Sequence, residues 1–128
     1  MSRVVYVFLG GGAGSVARYL TTIAAARLIS PAFPFGTLIV NLVGCFFVGF
    51  VHTVAMFSTR LSPDARFFLT TGVLGGLTTY SAFNYETLSL LERGETRSAV
   101  LYAGAMLAGC GVAGILGVWG ARAILPSV

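Results

Sequence analysis

The sequence predicts an all-α membrane protein with four transmembrane helices, and three observations support this fold class. Of the 128 residues, 56% are hydrophobic and 9% are charged, whereas a soluble domain carries about 25% charged residues. The charges leave four apolar stretches of 23 to 25 residues, and about 20 residues cross the hydrocarbon core as a helix. Prolines and charges are concentrated in the connectors. We therefore predict a single transmembrane domain, 1–128, with helices at 4–26, 35–57, 67–91 and 98–121.

The first predicted helix, 4–26, holds one charge, Arg18, and a run of glycines before it. A basic residue followed by an apolar stretch, as after Arg3, is also found in cleaved signal peptides. We favour a retained helix, because the segment is unusually rich in glycine and its apolar character resumes after Arg18. Gly10 and Gly14 lie one turn apart, a spacing that lets a second helix backbone approach closely in a membrane.

The second helix, 35–57, carries an isolated amide, Asn41, near the start of its apolar run. The amide group donates up to two hydrogen bonds, and a buried polar group without a partner costs about 1–3 kcal/mol. Asn41 therefore needs a partner, which is either structural or a permeant ion. Thr37 lies one turn earlier on the same face of the helix.

The third helix, 67–91, has a polar segment at its middle, GGLTTYSAFNYET. Each of its two glycines destabilises a helix by about 1 kcal/mol relative to alanine. Hydroxyl side chains that compete for backbone hydrogen bonds follow: Thr78, Thr79 and Ser81. We predict a helix that stops near Gly75 and restarts near Ser81, at the bilayer midplane, where free helix ends hold ions in transporters. A continuous, kinked helix is the alternative.

The fourth helix, 98–121, is uncharged, and glycines recur along it at three-residue intervals, which we expect to serve helix packing. Cys110 in this helix and Cys45 in the second are predicted to act as small apolar groups, because two isolated cysteines form neither a metal-site pattern nor a disulfide framework. His52 stands alone on an apolar helix. The sequence has no nucleophile–histidine–carboxylate pattern and no paired carboxylates in the apolar stretches, so we expect no enzyme.

Hydrogen-bond donors outnumber carboxylates in the predicted membrane segments. One amide and several hydroxyls supply neutral donors: Asn41, Tyr80, Ser81 and Tyr102. Arg18 adds a positive charge, and Glu86 is the sole acid in these segments. Phe83 lies three residues after Tyr80, so both rings share a helix face, and the edge of an aromatic ring carries positive potential. The pattern favours a small anion as the ligand of the interrupted helix.

Arginines are divided almost equally between the two ends of the predicted bundle. One end, with both termini and the 57–66 loop, holds four: Arg3, Arg60, Arg66 and Arg122. The other end holds three: Arg27, Arg93 and Arg97. Basic residues in short loops normally fix the orientation by staying in the cytoplasm. Either one well-placed arginine sets the orientation of this chain in the membrane, or the chain inserts in both orientations and pairs with its own inverted copy. No basic cluster of the kind that binds nucleic acid is present.

Three motifs, in order along the chain, resemble one family. The first helix has GGGAGSVARY, the second has GTLIVNLVG, and the third has TTGVLGGLTTYSAF followed by a glutamate. This combination and the four-helix length resemble the Fluc fluoride channel family, also called the CrcB family, over essentially the whole chain. The resemblance implies a passive fluoride channel, multi-pass in the bacterial inner membrane, that relieves fluoride toxicity as an antiparallel, dual-topology homodimer with two pores.

The resemblance also implies roles for residues that match the family's motifs. Asn41 would be the pore amide that hydrogen-bonds fluoride, and Phe83 would be one of two ring-edge positions along the pore. The other ring-edge position is Tyr80, where the family usually has phenylalanine. The backbone carbonyls of Gly75 and Thr78, from both subunits, would coordinate a structural sodium ion on the two-fold axis.

Further residues are implied at the pore and at its entrance. Arg18 would attract anions in an aqueous vestibule, and Glu86 would be a carboxylate beside the pore. Polar groups near the pore would be Thr37, Thr79, Ser81 and Tyr102. At two positions of the fourth helix where relatives can carry serine, this chain has Met106 and Cys110, so the resemblance does not define the anion path there.

A proton-coupled exporter of cationic compounds, of the small multidrug-resistance type, is the main alternative, because such proteins also have four helices and dual topology. They use an acidic residue in the first helix, whereas the segment 4–26 contains no Asp or Glu. A membrane assembly subunit without a transport role is the other alternative. Fluoride efflux from liposomes distinguishes the three.

Overall fold

The computed structural model describes residues 2–59 and 61–125, and this part of the chain is helical without strands. Arg60, one of the arginines counted above, lies outside the described residues. The elements in chain order are α1 (Arg3–Leu28), α2 (Phe35–Phe57), α3 (Pro63–Phe67), a π-helical stretch (Phe68–Leu74), α4 (Gly75–Leu77), α5 (Tyr80–Glu92) and α6 (Thr96–Ile124). The predicted all-α fold of four helical segments is confirmed, with α3 to α5 forming the third segment.

Helices α2 and α6 are long and apolar enough to cross a membrane, with mean hydropathies of 2.1 and 1.9. They pack along each other through glycines. A Cβ added to Gly49 would collide with the carbonyl of Gly114, and one added to Gly117 would collide with the carbonyl of Phe46. Such close backbone approach stabilises helix pairs in lipid, where the hydrophobic effect contributes little. The packing role predicted for the glycines of the fourth helix is confirmed at Gly117.

Helix α1 packs against the first half of the third segment. A Cβ added to Gly10 would lie 2.7 Å from the carbonyl oxygen of Phe68 and 3.0 Å from the Cα of Gly72. A Cβ added to Gly14 would collide with the carbonyl of Val73. The close backbone approach predicted for Gly10 and Gly14 is therefore confirmed, and it fixes α1 beside the interrupted segment.

Capping interactions in the connectors mark where α3 begins and where α5 ends. The Ser62 hydroxyl accepts the Ala65 backbone N–H at 3.2 Å, which caps α3. After α5, Gly94 adopts φ +77°, a left-handed conformation that glycine adopts without steric cost. The Glu95 N–H then donates to the Leu90 carbonyl at 2.9 Å, which completes a Schellman motif. Local sequence alone thus accounts for the sharp turn into α6.

The amino terminus and the connector before α3 lie at the same end of the bundle. The Nε of Arg3 is 3.7 Å from Oδ1 of Asp64, and the Arg3 guanidinium lies 4.7 Å from the ring centre of Phe67. An exposed ion pair contributes only about 0–1 kcal/mol to stability. The contact therefore shows where the amino terminus lies but adds little to the free energy of folding. It agrees with the prediction that the amino terminus and the 57–66 loop share one end.

The third segment is interrupted between α4 and α5, at Thr78 and Thr79. Both residues have extended backbone, with φ −79° and ψ 153° at Thr78 and φ −155° and ψ 112° at Thr79. The sequence predicted an end near Gly75 and a restart near Ser81. The helix instead continues through both glycines to the end of α4 and restarts one residue earlier than predicted.

Packing against α1 explains why the two glycines stay helical. A Cβ added to Gly76 would collide with the carbonyl of Gly11, so the glycine allows two helix backbones to touch. The helix ends at Leu77, and two residues later Asn41 of α2 hydrogen-bonds the backbone of Thr79. A contact between distant residues, and not the low helix propensity of glycine, sets the end of α4.

Candidate functional site

A side-chain amide from α2 hydrogen-bonds the backbone at the interruption in the third segment. Asn41 is buried, with 8% of its surface exposed. Its Oδ1 accepts the Thr79 backbone N–H at 2.8 Å, and its Nδ2 donates to the Thr79 carbonyl at 3.1 Å. Buried backbone groups require such partners, and one amide supplies both. The structural partner of Asn41 is therefore Thr79.

One hydrogen of the Asn41 amide forms a weak hydrogen bond. Apart from the Thr79 carbonyl, the acceptor that Nδ2 meets within the described residues is the sulfur of Met106, at 3.5 Å. A thioether is a weak acceptor, so a stronger acceptor displaces it at little cost. Asn41 also lines an open groove. The amide is thus both a clamp on the backbone and an available donor.

Two carbonyl groups at the interruption lose the donors that a continuous helix would supply. The Gly75 carbonyl would accept from the N–H of Thr79, which instead donates to Asn41. The Thr78 carbonyl would accept from the N–H of Ala82, which instead donates to the Thr79 hydroxyl at 3.2 Å. Gly75 is exposed. Unwound backbone carbonyls of this kind coordinate sodium in membrane transporters, so the two predicted ligands fit such an ion.

Glu86, whose role the sequence left open, is held by two donors from other helices. The Thr37 hydroxyl of α2 donates to Oε1 at 2.8 Å, and the Tyr102 hydroxyl of α6 donates to Oε2 at 2.6 Å. Thr37 and Tyr102 are buried and Glu86 is half-buried, so both hydrogen bonds are partly shielded from water. Hydrogen bonds to a charged group contribute about 1.5–3 kcal/mol each. The three residues form one polar cluster that joins α2, α5 and α6.

Aromatic rings adjoin this polar cluster. Phe83 is buried and lies edge-on to Tyr102, with ring centres 5.3 Å apart and planes at 62°. Tyr80 lies 5.6 Å from Phe83, also with its plane at 62°, but it is 75% exposed. The two predicted ring-edge positions therefore share one face of α5, as expected from their spacing. Phe83 lies inside the single chain, and Tyr80 lies on its surface.

Two cavities are lined by most of the predicted pore residues, and Ser81 and Tyr102 line neither. A groove of about 740 Å³ is lined by residues of the interruption and the aromatic pair, namely Asn41, Thr78, Thr79, Tyr80 and Phe83. A cavity of about 230 Å³ is lined by two members of the polar cluster, Thr37 and Glu86. Phe83 faces the groove and contacts Tyr102, whose hydroxyl reaches Glu86. The two rings thus connect the groove to the smaller cavity.

Arg18 and Ser81 lie apart from these contacts. Arg18 is half-buried on α1, lines neither cavity, and has no side-chain hydrogen bond or ion pair within the described residues. Ser81 is exposed, and its Oγ lies 3.2 Å from the Thr79 Oγ1. A single copy of the chain does not bring either side chain into the groove.

Several residues that line the groove were not indicated as site residues by the sequence. Gly44 lets α2 approach the interruption, because a Cβ there would collide with the Thr78 methyl group. Three sulfur-bearing side chains also line the groove: Cys45, Met106 and Cys110. The signal available in the sequence was their spacing. Cys45 lies one turn after Asn41, and the other two lie one turn apart on α6.

Comparison with known proteins agrees with the motifs of the sequence. The family model described as CrcB-like protein, Camphor Resistance (CrcB), matches residues 5–118. The chain belongs to the CrcB family. The whole of the groove and the polar cluster lies within the part of the chain that matches this family.

Relatives of high identity cover most of the chain. A protein of Anaeromyxobacter sp. (strain K), called fluoride-specific ion channel FluC, is 50% identical over 113 residues, which are 88% of this chain and 90% of that protein. A protein of the same name from Anaeromyxobacter dehalogenans is 49% identical, over 86% of this chain and 87% of its own. One from Rhizobium meliloti is 46% identical, over 80% of this chain and 82% of its own. All three relatives carry a name that specifies fluoride.

Proposed function

We propose that this chain is a fluoride-specific ion channel that lets fluoride leave the cytoplasm passively and so relieves fluoride toxicity. The observation that carries the proposal is the second Asn41 amide hydrogen, which meets, among the described residues, only the Met106 sulfur at the wall of the groove. The relatives compared above are named as channels for this ion. A channel needs no catalytic group, and we assign none to this chain.

The groove supplies the type of interaction that a dehydrated fluoride ion requires. An anion entering apolar surroundings loses water, and the loss is costly unless donors replace it. The Asn41 amide is one donor, and the ring edges of Phe83 and Tyr80 offer positive potential beside it. Conduction also requires that each site bind weakly enough to release the ion. One amide and two ring edges in series meet both requirements, with the hydroxyls of Thr79 and Ser81 close by.

Beyond Phe83, the path that we propose reaches the Glu86 cluster. The hydroxyls of Thr37 and Tyr102 are the donors on this side, and both are directed at the carboxylate. Fluoride therefore competes with Glu86 for the same two hydroxyls. A carboxylate held in this way is also poorly suited to proton-coupled exchange of bulky cations. Together with the lack of acids in 4–26, this argues against the small multidrug-resistance type of exporter.

We propose that the described chain is one domain that crosses the bacterial inner membrane four times, with its interruption at the midplane. Large apolar side chains are exposed along the helices, as lipid contact requires: Phe8 at 75%, Val100 at 65% and Trp119 at 62%. The half-buried Arg18 guanidinium, without a partner in the described residues, would draw anions toward the vestibule. Irregular backbone at this depth requires cover by protein or a polar cavity, which Asn41 supplies.

We further propose that two copies pair as an antiparallel, dual-topology homodimer. The groove is open in a single copy, and Tyr80 lies exposed at its edge, so a second copy would complete the pore. Two arginines added to the 92–97 loop should force one orientation and abolish efflux, because positive charge is retained in the cytoplasm. Coexpression with an oppositely biased copy should restore efflux. Full activity of the biased chain alone would contradict the antiparallel pairing.

A sodium ion at the two-fold axis is the structural cofactor that we propose, bound by the Gly75 and Thr78 carbonyls of both copies. Gly75→Val should leave the single chain folded, because a Cβ there meets one atom, at 3.7 Å. The same change should prevent pairing, since the side chain would crowd the site shared by two backbones. Gly12→Val is the matched control, with nothing within 4 Å of its Cβ. A stable Gly75→Val dimer with normal efflux would exclude this site.

The decisive experiment is ion efflux from liposomes that contain the purified chain. With potassium movement allowed by an ionophore, we expect rapid fluoride efflux without nucleotide or a proton gradient, and no chloride efflux. Proton-coupled export of organic cations would instead identify an exporter. If folded and paired protein transports neither fluoride nor organic cations, the chain is an assembly subunit.

A further inference from the structure

Three sulfur atoms from two helices converge on one wall of the groove. Cys45 lies on α2, and Met106 and Cys110 lie one turn apart on α6. The Cys110 Sγ donates to the Met106 Sδ at 3.7 Å. Met106 in turn contacts Asn41, and because Cys45 and Cys110 each lie one turn further along α2 and α6, the two thiols face the same stretch of the groove. All three side chains line the groove, and both cysteines are free and partly accessible. The sequence predicted two separate apolar thiols, and the fold instead brings them together.

Two thiols and a thioether are a soft ligand set. Soft sulfur ligands select cations of the Cu(I) type over hard cations such as Mg²⁺ or Ca²⁺. We propose that Cys45, Met106 and Cys110 bind one soft monovalent cation, Cu(I) or its redox-inert analogue Ag(I), in the groove. Zinc fits less well, because structural zinc sites take four nitrogen or sulfur ligands.

A monovalent ion requires the loss of only one thiol proton. One thiol loses its proton to solvent, and the metal forms bonds to that thiolate, to the second thiol sulfur and to the thioether sulfur. The cation charge and the thiolate charge cancel, and no electron is transferred. The groove is lined mainly by apolar side chains, among them Val48, Leu107 and Ile115, and an uncompensated charge in such surroundings is costly. A divalent ion would need both thiols to lose their protons.

Occupation of this site would close the groove to anions. Met106 is the residue whose sulfur contacts the second Asn41 amide hydrogen, so a metal on that sulfur would lie next to the proposed fluoride donor. Block of fluoride efflux is therefore expected, and this consequence rests on the proposed channel function. Binding of the metal does not rest on the channel function, because it depends only on the three sulfur atoms.

The test measures silver binding to the purified, full-length protein in chloride-free buffer, with silver nitrate as the probe. We expect one Ag(I) per chain, one proton released per ion, and loss of maleimide labelling at both cysteines. Cys45→Ser and Cys110→Ser should each weaken binding in competition with glutathione, by at least the roughly tenfold that loss of an outer-shell partner costs a metal site. Met106→Leu should also weaken it. Met56→Leu is the matched control, because Met56 is exposed and lies outside the groove.

The outcomes separate the metal site from the channel function. Two silver ions per chain, or unchanged affinity in either single cysteine variant, would show two independent thiols and overturn the site. In vesicles, one equivalent of silver should stop fluoride efflux from the wild type but not from the Cys45→Ser, Cys110→Ser double variant. Stoichiometric silver binding by a protein that never passes fluoride would refute the proposed function and leave the site intact.

Discussion

Asn41→Asp separates the two roles of the amide, as a clamp on the interruption and as a donor to the anion. Aspartate keeps an oxygen that accepts the Thr79 N–H, but it loses the donor that reaches the Thr79 carbonyl at 3.1 Å. Leaving that buried carbonyl unpaired costs about 1–3 kcal/mol, and the new carboxylate adds a desolvation cost that the adjoining open groove reduces. This is a fraction of the roughly 5–15 kcal/mol by which folded domains are stable. The variant should therefore fold and pair.

The effect of the same substitution on conduction should be much larger. A carboxylate at the wall of the groove repels a fluoride ion that passes beside it. Two unit charges about 4 Å apart interact by about 4 kcal/mol at an effective dielectric constant of about 20. Each 1.4 kcal/mol or so on a barrier lowers a rate about tenfold. We therefore expect initial fluoride efflux to fall by about a thousandfold.

The assay is initial fluoride efflux from vesicles of equal protein content, with gel filtration to verify that the variant is paired. Asn84→Asp provides the matched control, since Asn84 is exposed on α5 and lines neither cavity. Efflux from the control should equal that of the wild type. Efflux from a paired Asn41→Asp protein within about tenfold of the wild type, a barrier change of only about 1.4 kcal/mol, would show that the amide lies outside the anion path.

Four further substitutions test the neighbouring contacts. Phe83→Ile removes a ring edge from the path. If the anion gains as much from that edge as an aromatic neighbour does, about 0.5–1.5 kcal/mol, efflux should fall by up to about tenfold. Tyr80→Phe, which keeps its ring, should still conduct. Equal efflux from Phe83→Ile and wild type would remove that ring from the path. Tyr102→Phe removes the hydroxyl that donates to the Glu86 carboxylate at 2.6 Å. The free energy of unfolding, measured by denaturant titration in detergent, should fall by about 1.5–3 kcal/mol. An unchanged free energy of unfolding would mean that this hydrogen bond is not stabilising. Gly76→Val should prevent recovery of folded protein, because its Cβ would collide with the carbonyl of Gly11, whereas Gly12→Val should not. Normal yields of Gly76→Val would contradict the close packing of α1.

The sequence by itself determined the helical segments and the family. Apolar stretches bounded by prolines and charges predicted four helices, and the bounds of α2 agree with those predicted. The spacing of Gly10 and Gly14 predicted where α1 would meet another backbone, which the structure confirms. These features depend on residues close together in the chain, whose periodicity and composition report directly on a helix and its packing face.

The tertiary structure decided where the third segment is interrupted, what Glu86 contacts, and which sulfurs meet. The helix ends at Leu77, and not near Gly75, because Asn41 takes over the backbone bonds of Thr79, 38 residues away in the chain. Glu86 is bound by Thr37, 49 residues away, and by Tyr102, so its composition-based description as a lone acid was incomplete. Cys45 and Cys110 line the same groove because glycines let α2 and α6 approach closely. Contacts of this kind depend on the relative placement of packed helices, which the periodicity of a single segment does not contain.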